Sequence, residues 1–463
     1  MELEVAKKLI KKYTANHSDV VKKIETAERY YRKENDIKYA EKETEDAENP
    51  LRTADNRIPS NFYKLLVNQK AAYAFTEKVT FDTGNDDLNS LITQTLGDSF
   101  RKKCKSLCVQ AANASVGWLH YWKGDDGKFH YAVIDAKQVI PVWTRDLEKE
   151  LYAVLRTYAM IDETDGETDG DTYIIYEIWT ADRCESFRRR SDLDFDALDY
   201  FCQYLVIDID TGTEEYQPVY THGFEEVPFI FFNNNDEGTN DLRDIKELID
   251  AYDKVFSGFL NDLEDIQELI FIITNYGGDA DNALQILQEM KTKKIINVES
   301  EGADDKSGVS TLAIEIPVAA RKEMLDITRK AIFEQGMGID PDPQNFGNSS
   351  GVALQYLYSL LELKTGMMET EFEVSFNRLA RAILKFYGKT SEKLEQTWTR
   401  TSVTNDSEMA DIAQKSKGVI SDETIVRKHP WVDDAELELK RISEQKQAAG
   451  PSWDTVPPVK DGD

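Results

Sequence analysis

The sequence predicts an α+β protein, mainly helical, and three observations carry that expectation. Apolar residues at helical spacing dominate both halves of the chain. Between about 116 and 232 the spacing changes to that of strands broken by turn signals. At 336–351 a loop rich in Gly, Asn, Ser and Pro opens directly into a very long apolar run. A chain of 463 residues exceeds what one simple core organises, so roughly two to four subdomains are expected.

Taken in order, residues 1–48 read as charged helix, with Leu9, Ile10, Tyr13, Val20, Val21, Ile24, Ala27, Tyr30 and Tyr31 close to one stripe. The doubled lysines (Lys7/Lys8, Lys11/Lys12, Lys22/Lys23) read as its solvated face, with a docking face as the alternative. After Pro50, Ser60 is the expected cap of a helix carrying Phe62, Leu65, Leu66, Ala72, Tyr73 and Phe75. Helix is expected again over 86–114. Strands are expected at 118–122, 131–134, 173–176 and 204–207, separated by turns at 124–127, 208–212 and Pro228.

From Leu242 to Ile270 the apolar residues follow a near-heptad seam, while Asp244, Glu247, Asp250, Asp262, Asp265 and Glu268 occupy the other faces. A compact insertion over 275–317, with a short helix at 281–291 and strand-like runs at 295–298 and 311–316, precedes a second helix at 319–335. Pro341 and Pro343 forbid helix in the next segment. Ser349 or Ser350 can cap the helix that follows. At 1.5 Å per residue that helix should reach roughly 50 Å. It is apolar over most of its circumference, so burial on several sides is expected. Helices around 405–445 and a Pro/Gly/Asp tail expected to be disordered end the chain.

The formal charge of −30 and pI near 4.7 argue against a protein that grips nucleic acid over its whole surface. They suit one that keeps DNA at a distance. The charge is uneven, with 17 acidic and four basic residues between Asp162 and Glu215. Cys104, Cys108, Cys184 and Cys202 make neither a disulfide framework nor a zinc knuckle, so reduced structural thiols in a cytosol-like compartment are expected. The Lys/Glu-rich start is not a signal peptide, and the longest aliphatic run, 269–273, is far too short to span a bilayer. A soluble chain without a membrane partner is expected.

The acidic segment 162–171 resembles a calcium loop only in part. Starting at Asp165, it puts Glu167, Asp169 and Gly170 in register, but position twelve is Tyr176 where a bidentate Glu is required. A solvated acidic turn is the better reading. The five histidines are scattered, and neither a nucleophile elbow nor a Walker or dinucleotide fingerprint occurs. Residues 347–351 could offer backbone N–H groups to a phosphate, but without a lysine they read as a hinge. No catalytic site, metal or cofactor is expected, and the chain does not read as an enzyme.

Six segments then carry a resemblance: 57–73 (RIPSNFYKLLVNQKAAY), 176–182 (YEIWTAD), 227–233 (VPFIFFN), 245–253 (IKELIDAYD), 345–354 (NFGNSSGVAL) and 418–433 (GVISDETIVRKHPWVD). In this order the chain resembles the portal, or head-to-tail connector, proteins of tailed bacteriophages, the type of long-tailed phages and prophages of Gram-positive bacteria. The match runs from about 50 to 445. Residues 162–171 and 188–199 do not map onto it.

The resemblance implies a portal fold with wing, stem, clip and crown around a central channel in a ring oligomer. On that pattern 1–238 would be wing, 239–272 and 318–336 the stem helices, and 273–317 the clip. Residues 337–351 would be the tunnel loop, 352–388 the long wing helix, 389–446 the crown and 447–463 a tail. The implied ring, about twelve copies of the chain, requires a heterologous interface that closes. It would sit at one capsid vertex of the virion after assembly in the host cytoplasm. The implied partners are double-stranded DNA passing non-specifically, terminase, major capsid or scaffolding protein and a head–tail adaptor. The alternative is another ring-forming head-completion or adaptor protein.

The tunnel-loop candidates are Asp340, Asp342, Asn345, Phe346, Gly347, Asn348, Ser349, Ser350 and Gly351, a set without a cation. Lys291, Lys293 and Lys294, with Arg321, Lys322, Arg329 and Lys330, are candidates for DNA-phosphate contact. Intersubunit ion pairs with the acidic first stem helix are the other reading of those cations.

Overall fold

The structure, a computed structural model, describes residues 1–40, 54–161, 170–207, 213–265, 270–274, 308–312, 317–342, 351–400, 406–427, 429, 432 and 435–448. It divides into two compact units, 1–338 with 364–399, and 339–363 with 400–463. Helix outweighs strand by 49% to 21%, in keeping with a mainly helical α+β chain.

The first unit opens with α1 (Leu3–Thr14) and α2 (His17–Tyr31), then a 3-10 turn at Asp36–Tyr39. The stretch read as one charged helix is thus two, broken at Asn16, whose φ of −103° and ψ of 0° leave the helical region. Lys8, Lys11, Lys12, Lys22 and Lys23 are exposed, as a solvated face requires. α3 (Phe62–Ala74) is not capped by Ser60, since Asn61 holds the cap position without a side-chain bond. The Ser60 N–H donates instead to Asp253 at 2.8 Å, a long-range partner that local spacing does not reveal.

The helix expected over 86–114 is also two, α4 (Asp86–Leu96) and α5 (Phe100–Ala114). Asn85 caps α4 by accepting from the N–H groups of Asp87 and Leu88. Gly97 ends it at φ 68°, a conformation that side chains resist.

The strands form separate antiparallel sheets. Val116–Lys123, Phe129–Ile134 and Phe229–Asn233 make a three-stranded sheet with the first strand central. A larger sheet is built on Val139–Trp143, Leu151–Ile161, Thr172–Trp179 and Arg183–Arg190, with two short strands added at its last member. All four expected strands form, the last as Tyr204–Ile207. Five of the six strands of the larger sheet were not expected; among them Arg183–Arg190 carries four arginines and lacks the apolar alternation that marks a strand.

α6 spans Lys246–Asp265. The helical seam read to Ile270 ends earlier, and Ile270–Thr274 instead pairs as a strand with Gly308–Leu312. Its β-branched and aromatic residues fit a pleated surface better than a helix. The expected helix at 281–291 and strand at 295–298 lie outside the described residues. α7 (Val318–Gln335) follows as expected, and α8 runs from Gly351 to Phe386.

α8 supplies the principal core. Met368, Phe372, Phe376, Leu379 and Ile383 recur at i, i+4, i+8, i+11 and i+15 and are fully buried. They pack with Phe75, Phe100 and Phe232 in an aromatic cluster whose rings meet edge-on or tilted. Each such side chain contributes roughly 1.5–3 kcal/mol by burial. The expectation of burial on several sides fails within one chain, however. Tyr356 (79% exposed), Leu360, Leu363, Met367 and Val374 (53%) lie exposed on one face of the helix.

The second unit contains the first turns of α8 together with α9 (Asp406–Lys415), α10 (Asp422–Arg427) and α11 (Ala435–Ala448). Arg400 pairs with Glu362 within it. Among the described residues no helix is long and apolar enough to cross a membrane, and no group of metal-ligating side chains occurs. Cys104, Cys108 and Cys184 are buried and Cys202 is exposed, all without a disulfide. Burial pushes the Cys108 thiol up to about 11, so it behaves as a packing group.

Candidate functional site

A buried polar cluster lies where the chain leaves α7 for the 337–351 segment. α3 brings Leu66 and Lys70, one turn apart on one face. The Lys70 ammonium donates to Asn234 Oδ1 at 2.6 Å and to the Asp241 carboxylate at 3.3 Å. Asn234 donates onward to Asp241 Oδ1 at 2.7 Å and to the Thr239 carbonyl at 2.9 Å. The Asp241 N–H donates to the Ala112 carbonyl at the end of α5, at 2.9 Å. From α8, Lys364 Nζ approaches Asp241 Oδ2 to 3.1 Å and donates to the Gly336 carbonyl at 2.9 Å.

Only 1% of the Lys70 side chain, 5% of Asp241 and 11% of Lys364 is exposed. Burial alone would raise the Asp241 carboxyl, but the two ammonium groups overcome it and hold the acid far below the usual carboxylate range. Burial lowers Lys364. Two cations therefore share one anion. The carbonyl of Gly336, at the negative end of α7, takes up part of the surplus charge.

The same point is shaped sterically. Gly338 N–H donates to Phe333 O at 3.0 Å and Met337 N–H to Glu334 O at 3.2 Å, the paired bonds of a Schellman ending. Met337 takes the left-handed position at φ 52°, normally a glycine's place. The glycines stand on either side of it, where α3 leaves no room: a Cβ on Gly338 would meet Leu66 Cδ2 at 2.1 Å, and one on Gly336 would meet Leu66 Cδ1 at 2.6 Å.

α6 is fastened by an extended strap. The N–H groups of Asn56, Ile58 and Ser60 donate to Asn261 Oδ1 (2.6 Å), Ser257 Oγ (3.0 Å) and Asp253 Oδ1 (2.8 Å). Two residues of extended chain and four of helix advance nearly the same distance, roughly 6 Å, so every second amide finds every fourth helical side chain. Asp253 also accepts from Asn35 Nδ2 at 2.6 Å, and its burial pushes its carboxyl up.

Of the sequence-derived loop candidates, Asp340 and Asp342 are described; the Asp342 N–H donates to Asp340 Oδ1 at 3.2 Å. Asn345, Phe346, Gly347, Asn348, Ser349 and Ser350 lie outside the described residues, and Gly351 is the first residue of α8. Lys291, Lys293 and Lys294 also lie outside them. Arg321 pairs with Asp262 of α6 within the same chain, its guanidinium 5.5 Å from the Phe259 ring. Lys330 faces Glu334 at 3.7 Å, Lys322 is exposed and Arg329 is half-buried. Lys70, Asn234, Asp241 and Lys364 were not singled out from sequence. One signal was available, because Lys70 and Lys364 interrupt the apolar faces of their own helices.

A family described as "Phage portal protein, SPP1 Gp6-like" matches residues 10–452. The chain belongs to the phage portal protein family. A portal protein of Clostridium phage phiCD119 is 40% identical over 459 residues, covering 96% of this chain and 97% of that one. The portal protein of Bacillus phage SPP1 is 28% identical over 441 residues, covering 90% and 82%. Two solved structures are distant likenesses at 11% identity. One is the neck of an empty GTA particle with C6 symmetry (TM-score 0.41, 79% of this chain and 88% of that one). The other is the neck of a native GTA particle with C12 symmetry (TM-score 0.40, 82% and 91%). The portal-family chain is accordingly a structural component of a phage virion, and its family is not known as enzymatic.

Proposed function

We propose that this portal chain acts as one subunit of a closed ring, about twelve copies around a channel, through which genomic DNA is packaged and later ejected. The observation that carries the reading is the family match across residues 10–452. In this reading 1–238 is wing, 239–272 and 318–336 are stem, 273–317 is clip, 337–351 is the tunnel loop, 352–388 is the long wing helix and 389–446 is crown. The exposed apolar residues Tyr356, Leu360, Leu363, Met367 and Val374 supply the additional contact that a ring seam needs, covered by the neighbouring copy. The charge of −30 per chain keeps the DNA from adhering, because phosphate is repelled from an acidic wall. Terminase, capsid or scaffolding protein and the head–tail adaptor are the proposed partners.

Within the channel, the uncharged part of the loop, Asn345 to Gly351, touches DNA sterically, while Lys322 and Lys330 meet phosphate transiently. Negative-stain images and native mass of the purified chain test the ring, with rings holding a central hole as the expected result. A monomer that stays single at high concentration overturns it. Deleting 347–351 should leave rings intact and impair DNA packaging or retention, and normal packaging by that variant would remove the loop's role.

A further inference from the structure

The cluster at the end of α7 holds more charge than its own stability calls for. Lys70, Asn234 and Asp241 already form a satisfied neutral unit, with one cation, one anion and an amide bridging them. Lys364 adds a second buried cation to that unit, at a desolvation cost a hydrophobic residue would not carry. What Lys364 adds that Lys70 does not is the bond to the Gly336 carbonyl. That carbonyl belongs to the residue at which α7 ends, directly before the left-handed Met337.

We propose that Lys364 is the positioning residue of the tunnel loop. Anchored by Asp241, its ammonium grips the last carbonyl of α7 and sets the direction in which the chain departs for residues 337–351. Three elements meet at this one nitrogen: the segment leading into α6, the end of α7, and α8. The contact itself stands on the geometry, and its role in the channel rests on the reading of 337–351 as the tunnel loop.

The two lysines provide an internal control. Lys364→Met and Lys70→Met each remove one buried cation and leave one cation facing Asp241, but only Lys364→Met removes the donor from Gly336. Hydrogen exchange on the assembled full-length protein should show the Met337 and Gly338 amides exchanging about tenfold faster or more in Lys364→Met. In Lys70→Met the same amides should stay within about twofold of the parent. Lys364→Arg, which keeps a charged donor, should restore slow exchange, and the melting temperature of Lys364→Met should lie close to the parent's.

Unchanged exchange in Lys364→Met, or an equal rise in Lys70→Met, overturns the proposal. So does failure of Lys364→Met to fold, since the residue would then be a structural part of the core. A second measurement separates the contact from its role. Particles carrying Lys364→Met should retain less DNA. Faster exchange with normal DNA retention would uphold the grip on Gly336 and overturn the assignment of 337–351 to the channel.

Discussion

Ion pairs of similar chemistry occur at two places, one just before α6 and one between α6 and α7, and they do different physical work. Beside the start of α6, Asp241 sits between Lys70 and Lys364 almost entirely out of water. Farther along, Asp262 meets Arg321 with 30% and 26% of their side chains exposed. Out of water, each charge must be answered by a fixed partner, so the cluster dictates where four elements stand relative to one another. At the half-buried Asp262–Arg321 pair, water still reaches both partners and takes up part of the charge when either is lost.

Substituting Asp241 breaks this comparison most severely. Asp241→Asn leaves two buried lysines without an anion and should cost about 3–5 kcal/mol, measured as a lowered urea midpoint. A loss near that of the half-buried pair would erase the distinction between the two places.

A second test asks whether a buried group held neutral weighs as much as a buried charge that is paired. Burial lowers His120 from 6.5 to about 4. Its Nδ1–H donates to the Pro228 carbonyl at 2.8 Å, and the ring stacks on Phe229 at 4.3 Å. The folded state thus binds the proton less well than the unfolded chain. The contribution is present above pH 6.5 and is lost as pH falls toward 4. It amounts to about 3 kcal/mol at most. His120→Phe should flatten the stability curve in that window, and an unchanged slope would assign the acid sensitivity to carboxylates.

Steric pinning should weigh less. Gly338→Ala drives a methyl into Leu66 and should cost about 2 kcal/mol. Leu66→Ala in the same chain should recover part of that loss, and strict additivity of the two changes would show that Gly338 is not confined by α3. Arg321→Ala should have the smallest effect, under about 1 kcal/mol and diminishing with salt. A salt-independent loss as large as that of Asp241→Asn would mean that the half-buried pair is structural after all.

Much of the architecture was legible in local spacing. The long helix read at 352–388 is Gly351–Phe386, and the second helix read at 319–335 is Val318–Gln335. Periodicity reports which face of a segment is apolar, and that survives folding. It reported less well where segments are charged, as in Arg183–Arg190, or where an apolar run suits either state, as at Ile270–Thr274. The candidate loop was marked by its own composition, whereas the cluster that anchors it was not. Lys70 and Asp241 are 171 residues apart, and nothing local to either shows that they meet.

The sequence by itself determined the longest helices and four of the strands, the acidic character, the loop running into the long helix, and the family through the order of its segments. These follow from short-range patterning and from net charge, which need no fold to be read. Only the tertiary structure decided that Ser60 serves α6 where a cap for α3 was expected, that the long helix leaves one apolar face uncovered, and that two lysines share one buried aspartate at the root of the loop. Each of these depends on which distant segment excludes water from a given side chain, and that exclusion is a property of the packed chain.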